Sequence, residues 1–256
     1  MSRYILAFDT ATEHVAIALG AVRGDSVVAI DSLDFLAPRA ALARLLPSIQ
    51  DLLACHAMGV RDLEAIVVGR GPGSFTGVRI GVATAKGLSQ GMKVPLHGVG
   101  TLDAVAWNLR DHGGLVGVLG DAMRGEVYPA LYRATGDSVE RLSAERVADP
   151  AQVAREWERL GEPIVITGNA LGKYADLFDG VGTLAPEALR PVLGGGLLAA
   201  YERAIADGSL GDGDPGVLLP VYTRLSDAEE NERARIGSCE SSLPDNGVAG
   251  PMDGGC

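Results

Sequence analysis

Residues 65–91 read AIVVGRGPGSFTGVRIGVATAKGLSQG. Ala65–Val68 is an apolar run of strand type, and it stops at a glycine-rich turn, Gly71-Pro72-Gly73-Ser74. A helix then opens near Thr76, with Ser74 or Thr76 placed to cap its first free amides. A strand that turns through glycines straight into a helix is the unit of a layered α/β protein.

The turn admits two readings. Backbone N–H groups at a helix start, beside glycines that allow close approach, form an anion site. Equally, the glycines only let the chain reverse sharply. No Gly-Lys-Ser/Thr closes the segment, and the dinucleotide spacing is absent. Inside the helix Gly77, Gly81, Ala85 and Ser89 recur at four-residue steps and make one smooth face. Each glycine costs a helix about 1 kcal/mol relative to alanine. Close approach of another element is the reason to expect, either this chain's own sheet or the helix of a partner. A second Leu-rich helix just upstream favours the partner.

That upstream helix is expected over about 39–54. Leu42, Leu45, Leu46, Ile49, Leu52 and Leu53 recur at three- and four-residue steps, and Pro47 should kink the helix without ending it. Before it, runs at 4–8, 14–19 and 26–35 are spaced for antiparallel strands. Downstream the pattern restarts: Leu115–Leu119 closes on Asp121, and a second strand follows at 126–132. Either the chain is duplicated, or two hairpins match by chance. Duplication would set two lobes face to face with Asp9 and Asp121 across a cleft, and Glu13 and Glu126 close behind. Such carboxylates can hold Mg²⁺ or act as acid and base; the plainer role is that each caps its own turn. A helix at 151–160, a strand at 163–167 and a helix at 191–207 complete the second half. The expected divisions are 1–100, 101–225 and a third segment, 226–256. That third segment holds a charged helix at 227–235 and a Gly/Pro/Ser-rich tail without an apolar period.

Composition narrows the function. Of 256 residues, 47% are hydrophobic and 21% charged, which suits a soluble globular chain with its own core. A net charge of −11 repels phosphate backbones, so direct binding of nucleic acid is not expected. Three cysteines build no disulfide framework, and His14, His56, His97 and His112 contain no HxxxH or HExxH pair. No apolar run reaches membrane-spanning length, and Asp9 and Glu13 break any signal-peptide core, so the cytoplasm is the expected compartment.

Four stretches, ILAFDTAT (5–12), GPGSFTGVRIGVATAKGLS (71–89), DAMRGEVY (121–128) and PVYTR (220–224), resemble the bacterial TsaB (YeaZ) family. The likeness runs over about 3–225. It implies the actin/hexokinase/Hsp70 superfold, in which two lobes each carry a mixed sheet flanked by helices. It also implies a subunit without a catalytic site. Members pair with a TsaD-type catalytic subunit and a TsaE-type ATPase to transfer a threonylcarbamoyl group to the adenosine beside the tRNA anticodon. Contact with tRNA is then made only through the complex, and a homodimer is expected when the chain is alone. The partner surface that follows is Leu42, Leu45, Leu46, Ile49, Gly77, Gly81 and Ala85. A degenerate nucleotide or anion cleft would comprise Asp9, Thr10, Gly71, Gly73, Ser74, Thr76, Asp121, Arg124 and Glu126.

Two departures bear on this. Ala11 stands where nucleotide-binding members of the superfold carry glycine, so ATP or ADP is expected only at the interface of the assembled complex, with no cofactor or metal otherwise. Ala41-Leu42-Ala43-Arg44 replaces the polar trio that relatives carry before Leu45-Leu46-Pro47. A competing reading from another class is a small-molecule kinase using Asp9 and Asp121. A metalloprotease, the third, lacks its histidine pair.

Overall fold

The computed structural model describes residues 3–24, 26–221 and 223. Strands β1 (Arg3–Asp9), β2 (His14–Arg23) and β3 (Ser26–Leu36) form the expected antiparallel meander. Helix α1 (Ala41–Cys55) follows and carries Pro47 in its interior. Strand β4 (Leu63–Gly69) returns parallel to β1, α2 spans Phe75–Met92, and β5 (Leu96–Val99) adds parallel to β4. The first sheet is therefore ordered β3-β2-β1-β4-β5.

The second half repeats this plan. After α3 (Thr101–Trp107), β6 (Gly114–Asp121) pairs antiparallel with β7 (Val127–Ala134), and β7 with β8 (Val139–Arg141). Helix α4 (Pro150–Glu158) leads to β9 (Ile164–Thr167), which lies parallel to β6. The short α5 (Leu171–Tyr174) leads to β10 (Thr183–Leu184), parallel to β9, and α6 (Gly194–Ala206) ends the regular structure. Read from β8, the second sheet runs β8-β7-β6-β9-β10, the same order and the same directions as the first. Chance matching of two hairpins does not produce that. Duplication does, and the chain has the two-lobe, mixed-sheet architecture that the family resemblance implies. The charged helix and tail expected at 227–256 lie outside the described residues.

Side-chain alternation decides where the core sits. Along β1, Ile5 and Ala7 face a cluster shared with Val116, Val118, α3 and α6, between the two sheets. Leu6 and Phe8 face the opposite way, into a cluster with Leu45, Ile49, Val78, Val82 and Ala85 beneath α1 and α2. A third cluster, around Leu119, Trp157, Ile166 and Phe178, lies beneath α4 and α5. Helix α6 crosses back onto the first sheet: its Gly194 N–H donates to Asp34 Oδ1 on β3 at 2.9 Å, and Val27 N–H donates to Glu202 Oε1 at 3.2 Å.

The leucine stripe of α1 needs a correction. Leu45 and Ile49 are buried in the chain's own core, and only Leu42 and Leu46, 70% and 44% exposed, remain on the outside. Burying Leu45 and Ile49 contributes about 1.5–3 kcal/mol each.

Candidate functional site

Asp9 closes β1 at a point with no contact to solvent. Its Oδ1 accepts a hydrogen bond from Ala11 N–H at 2.6 Å, and its Oδ2 accepts one from the Thr101 hydroxyl at 2.6 Å. Burial pushes its carboxyl pKa above the ordinary 3.8, against the pull of those two bonds. The same Thr101 oxygen accepts from Gly71 N–H at 3.1 Å. One hydroxyl thus ties the end of β1, the glycine turn and the start of α3.

The glycines of the turn make room for this arrangement. A Cβ on Gly69 would lie 1.7 Å from Asp9 Oδ2, and one on Gly73 would lie 2.4 Å from the Ala11 carbonyl oxygen. Ser74 N–H donates to that same carbonyl at 2.7 Å, and the Ser74 hydroxyl caps α2 by accepting from Gly77 N–H at 3.3 Å. Thr76, the other candidate cap, is exposed in the first turn. The amides of Gly71, Ser74 and Gly77 are therefore spent on Thr101, Ala11 and Ser74. Sharp reversal with close packing is realised at the turn, and three of the amides that an anion cradle would use are occupied from within the chain.

The smooth face of α2 is corrected in the same way. A Cβ on Gly77 would meet the Thr10 carbonyl oxygen at 2.1 Å, and one on Gly81 would meet Thr10 Oγ1 at 2.6 Å. Thr10 Oγ1 donates to Gly77 O at 2.7 Å, and Ala85 is fully buried. Gly77 and Gly81 admit the chain's own β1–β2 turn and Ala85 lies in the core beneath α2, so none of the three is available to a partner.

Asp121 closes β6 as Asp9 closes β1, with a plainer environment. Its Oδ1 accepts from Met123 N–H at 3.1 Å, its Oδ2 pairs with Lys173 Nζ, and its own N–H donates to Asn169 Oδ1 at 3.0 Å. The turn to β7 runs through Met123, Arg124 and Gly125, all at positive φ, with Ala122 N–H donating to Glu126 O at 3.0 Å. Asp121 caps this turn; Arg124 and Glu126 belong to it.

The crevice between the two aspartate turns is lined by Thr12, Gly73, Thr101, Asp121, Asn169 and Arg190, and its volume is about 10 Å³. That holds roughly one water, whereas small-molecule sites need about 300 Å³ or more. Among the described residues no three His, Cys, Asp or Glu side chains come together as a metal site. His56 Nε2 sits 2.9 Å from Asp31, and His97 stacks on Tyr201 with ring centres 5.5 Å apart. Three residues that satisfy the aspartates, Thr101, Asn169 and Lys173, are invisible to sequence reading, because nothing local marks a threonine at the start of α3 as the partner of a residue 92 positions away.

A family model described as "TsaD: tRNA N6-adenosine threonylcarbamoyltransferase" matches residues 35–177. The "tRNA threonylcarbamoyladenosine biosynthesis protein TsaB" of Bacillus subtilis is 33% identical over 235 residues, covering 88% of this chain and 96% of that protein. The chain belongs to the TsaB family. The Escherichia coli TsaB is 38% identical over 176 residues, 68% of this chain and 74% of its own. The crystal structure of YeaZ from Pseudomonas aeruginosa superposes with a TM-score of 0.71 at 28% identity, across 86% of this chain and 99% of that one. A second Pseudomonas aeruginosa structure, of a protein similar to YeaZ, gives 0.73 at 29% identity, over 87% and 100%. This TsaB-family chain therefore shares the actin-like two-lobe fold over both sheets. Its glycine turn packs closely on Asp9, where a Cβ on Gly69 would lie 1.7 Å from Oδ2.

Proposed function

We propose that this chain is a non-catalytic, cytoplasmic subunit of the machinery that makes threonylcarbamoyladenosine in tRNA. It docks on a TsaD-type catalytic subunit through the outer faces of α1 and α2. The observation that carries the docking surface is the solvent side of α2. There Ala83, Gly87 and Gly91 are exposed, and a Cβ added to either glycine would meet nothing within 4 Å. Exposed glycines inside a helix cost about 1 kcal/mol each and give this chain nothing in return, whereas they let a second helix approach closely. Leu42 and Leu46 lie four residues apart on the exposed side of neighbouring α1 and extend the face with apolar surface.

The narrow crevice and the self-satisfied glycine turn support a scaffold over a kinase. Nucleotide would then bind only where the assembled complex supplies further groups. The TsaE-type ATPase and tRNA are engaged through the catalytic subunit, and in its absence the same face drives weak self-association.

Co-purification with the TsaD-type subunit tests the reading. A Gly87→Leu change should abolish it while the melting temperature holds or rises, because the new side chain enters open space. Leu42→Asp should weaken it independently. A Gly87→Leu chain that still binds at full stoichiometry would place the partner elsewhere.

A further inference from the structure

A second cavity, of about 350 Å³, lies on the other side of α3, between that helix, α6 and β8. Helix α3 presents Thr101 and Leu102 to the aspartate crevice, and Asp103 and Trp107 to this cavity. Its volume falls within the range of small-molecule sites.

Three guanidinium groups line it, those of Arg70, Arg141 and Arg203. Arg141 makes three hydrogen bonds, the one to Asp103 being the longest. Its Nε donates to Ser143 O at 3.0 Å, and its Nη1 donates to Glu145 Oε1 at 3.0 Å and to Asp103 Oδ1 at 3.4 Å. Asp103 Oδ1 also accepts from the Tyr132 hydroxyl at 2.6 Å, so this carboxylate is committed to positioning. Arg141 Nη2 is shielded from water and has no acceptor. Native proteins rarely leave a buried donor unpaired, and such a group marks a missing acceptor. The long 3.4 Å contact to Asp103 leaves the guanidinium free to turn toward one.

Two of the three acids lining the cavity are committed: Asp103 as above, and Asp207, which pairs with Arg203 at 3.5 Å and accepts from Ser209 N–H at 3.0 Å, while the third, Glu140, is exposed at the rim. Arg70 is exposed and makes no ion pair among the described residues. Val99, Val139 and Trp107 supply an apolar wall. The Arg70 guanidinium and the unsatisfied Nη2 of Arg141, beside an apolar wall, match an oxyanion carried on a flat apolar body, since arginine binds phosphate and carboxylate oxygens through its N–H donors.

We propose that the cavity between α3, α6 and β8 binds a small molecule of this class, with Arg70 and Arg141 holding its oxyanion and Trp107 bordering its apolar part. On a chain of net charge −11 an anion is repelled elsewhere, which confines binding to this spot.

Titration of the ¹⁵N-labelled full chain with phenyl phosphate and with benzoate tests it, because the protein has only two tryptophans to follow. The Trp107 indole signal should shift saturably with at least one probe, while that of Trp157, packed on Phe178 in the outer core, stays still. Whichever probe binds more tightly assigns the phosphate or the carboxylate. Arg70→Ala, a surface change that leaves the fold intact, should raise the dissociation constant at least tenfold, and Arg141→Lys should do the same. The proposal is overturned by no saturation below about 10 mM, weaker than millimolar binding. Equal shifts of both indoles, or unchanged affinity in Arg70→Ala, would also overturn it.

Discussion

Two identical substitutions on one helix should move stability in opposite directions. In Gly77→Ala the new Cβ would stand 2.1 Å from the Thr10 carbonyl oxygen, more than 1 Å inside ordinary contact. That oxygen is backbone, fixed by the flanking β1–β2 pairing and by the Thr10 hydroxyl bond to Gly77 O, so it cannot swing aside. Overpacking of this kind costs about 1–3 kcal/mol, and the contact is at the severe end. The gain in helix propensity is small, since Gly77 sits in the first turn of α2. A net loss of about 2–3 kcal/mol follows, equivalent to a melting temperature lower by roughly 4–12 °C for a chain of this size. In Gly87→Ala nothing lies within 4 Å of the added carbon. Only the propensity term remains, about 0.8–1 kcal/mol in favour, or a rise of roughly 2–4 °C. Thermal unfolding followed by circular dichroism in one buffer measures both. If Gly77→Ala melts within about 2 °C of the parent chain, less than 1 kcal/mol of strain is present and the packing of β1 on α2 has been misjudged.

Three further outcomes follow from the aspartate turns. Asp9 has a raised pKa because burial outweighs its two hydrogen bonds, so its contribution to stability is fully present below 3.8 and is lost as pH rises through the folded value. Urea unfolding from pH 4 to 7 should show Asp9→Asn gaining on the parent chain as pH rises, and a difference independent of pH would sink the assignment. Thr101→Val strands a buried carboxylate oxygen and the Gly71 amide, and should lower the urea-unfolding free energy by about 2–4 kcal/mol. Lys173→Met removes an exposed partner of Asp121 and should cost less than about 1 kcal/mol, with the difference shrinking in high salt.

Much of the fold is legible in the sequence because strand and helix periods are local. Runs ending at Asp9 and Asp121 mark the first strand of each half, and their repeated order raises duplication as one of two readings, which the matching sheet orders decide. The glycine turn is legible as a strand-to-helix reversal for the same reason. What fails is the assignment of faces. Gly77, Gly81 and Ala85 recur at helical spacing whether they admit a partner's helix or this chain's Thr10, and periodicity does not say which side of α2 meets the sheet. Likewise Leu42 and Leu45 look alike in an apolar stripe, yet one is exposed and the other buried, because the stripe is wider than the contact with β2. Thr101 and Lys173 act across long separations that no local pattern records.

The return of α6 to the first sheet has a consequence during synthesis. That sheet is complete in sequence once Val99 has been made, but the helix seated on its inner side ends only at Ala206. Gly20 meets Leu198, and Gly194 meets Ala18, so no other segment takes the place of α6 there. A ribosome working at about 5–20 residues per second needs roughly 5–20 seconds to bridge the interval. For that time the inward side chains of β1 and β2 wait without their cover, and the nascent chain offers an apolar sheet face to whatever chaperone or neighbour is near. Completion of the first half is thus governed by delivery of the last helix, and the two halves, alike in plan, do not mature as independent units.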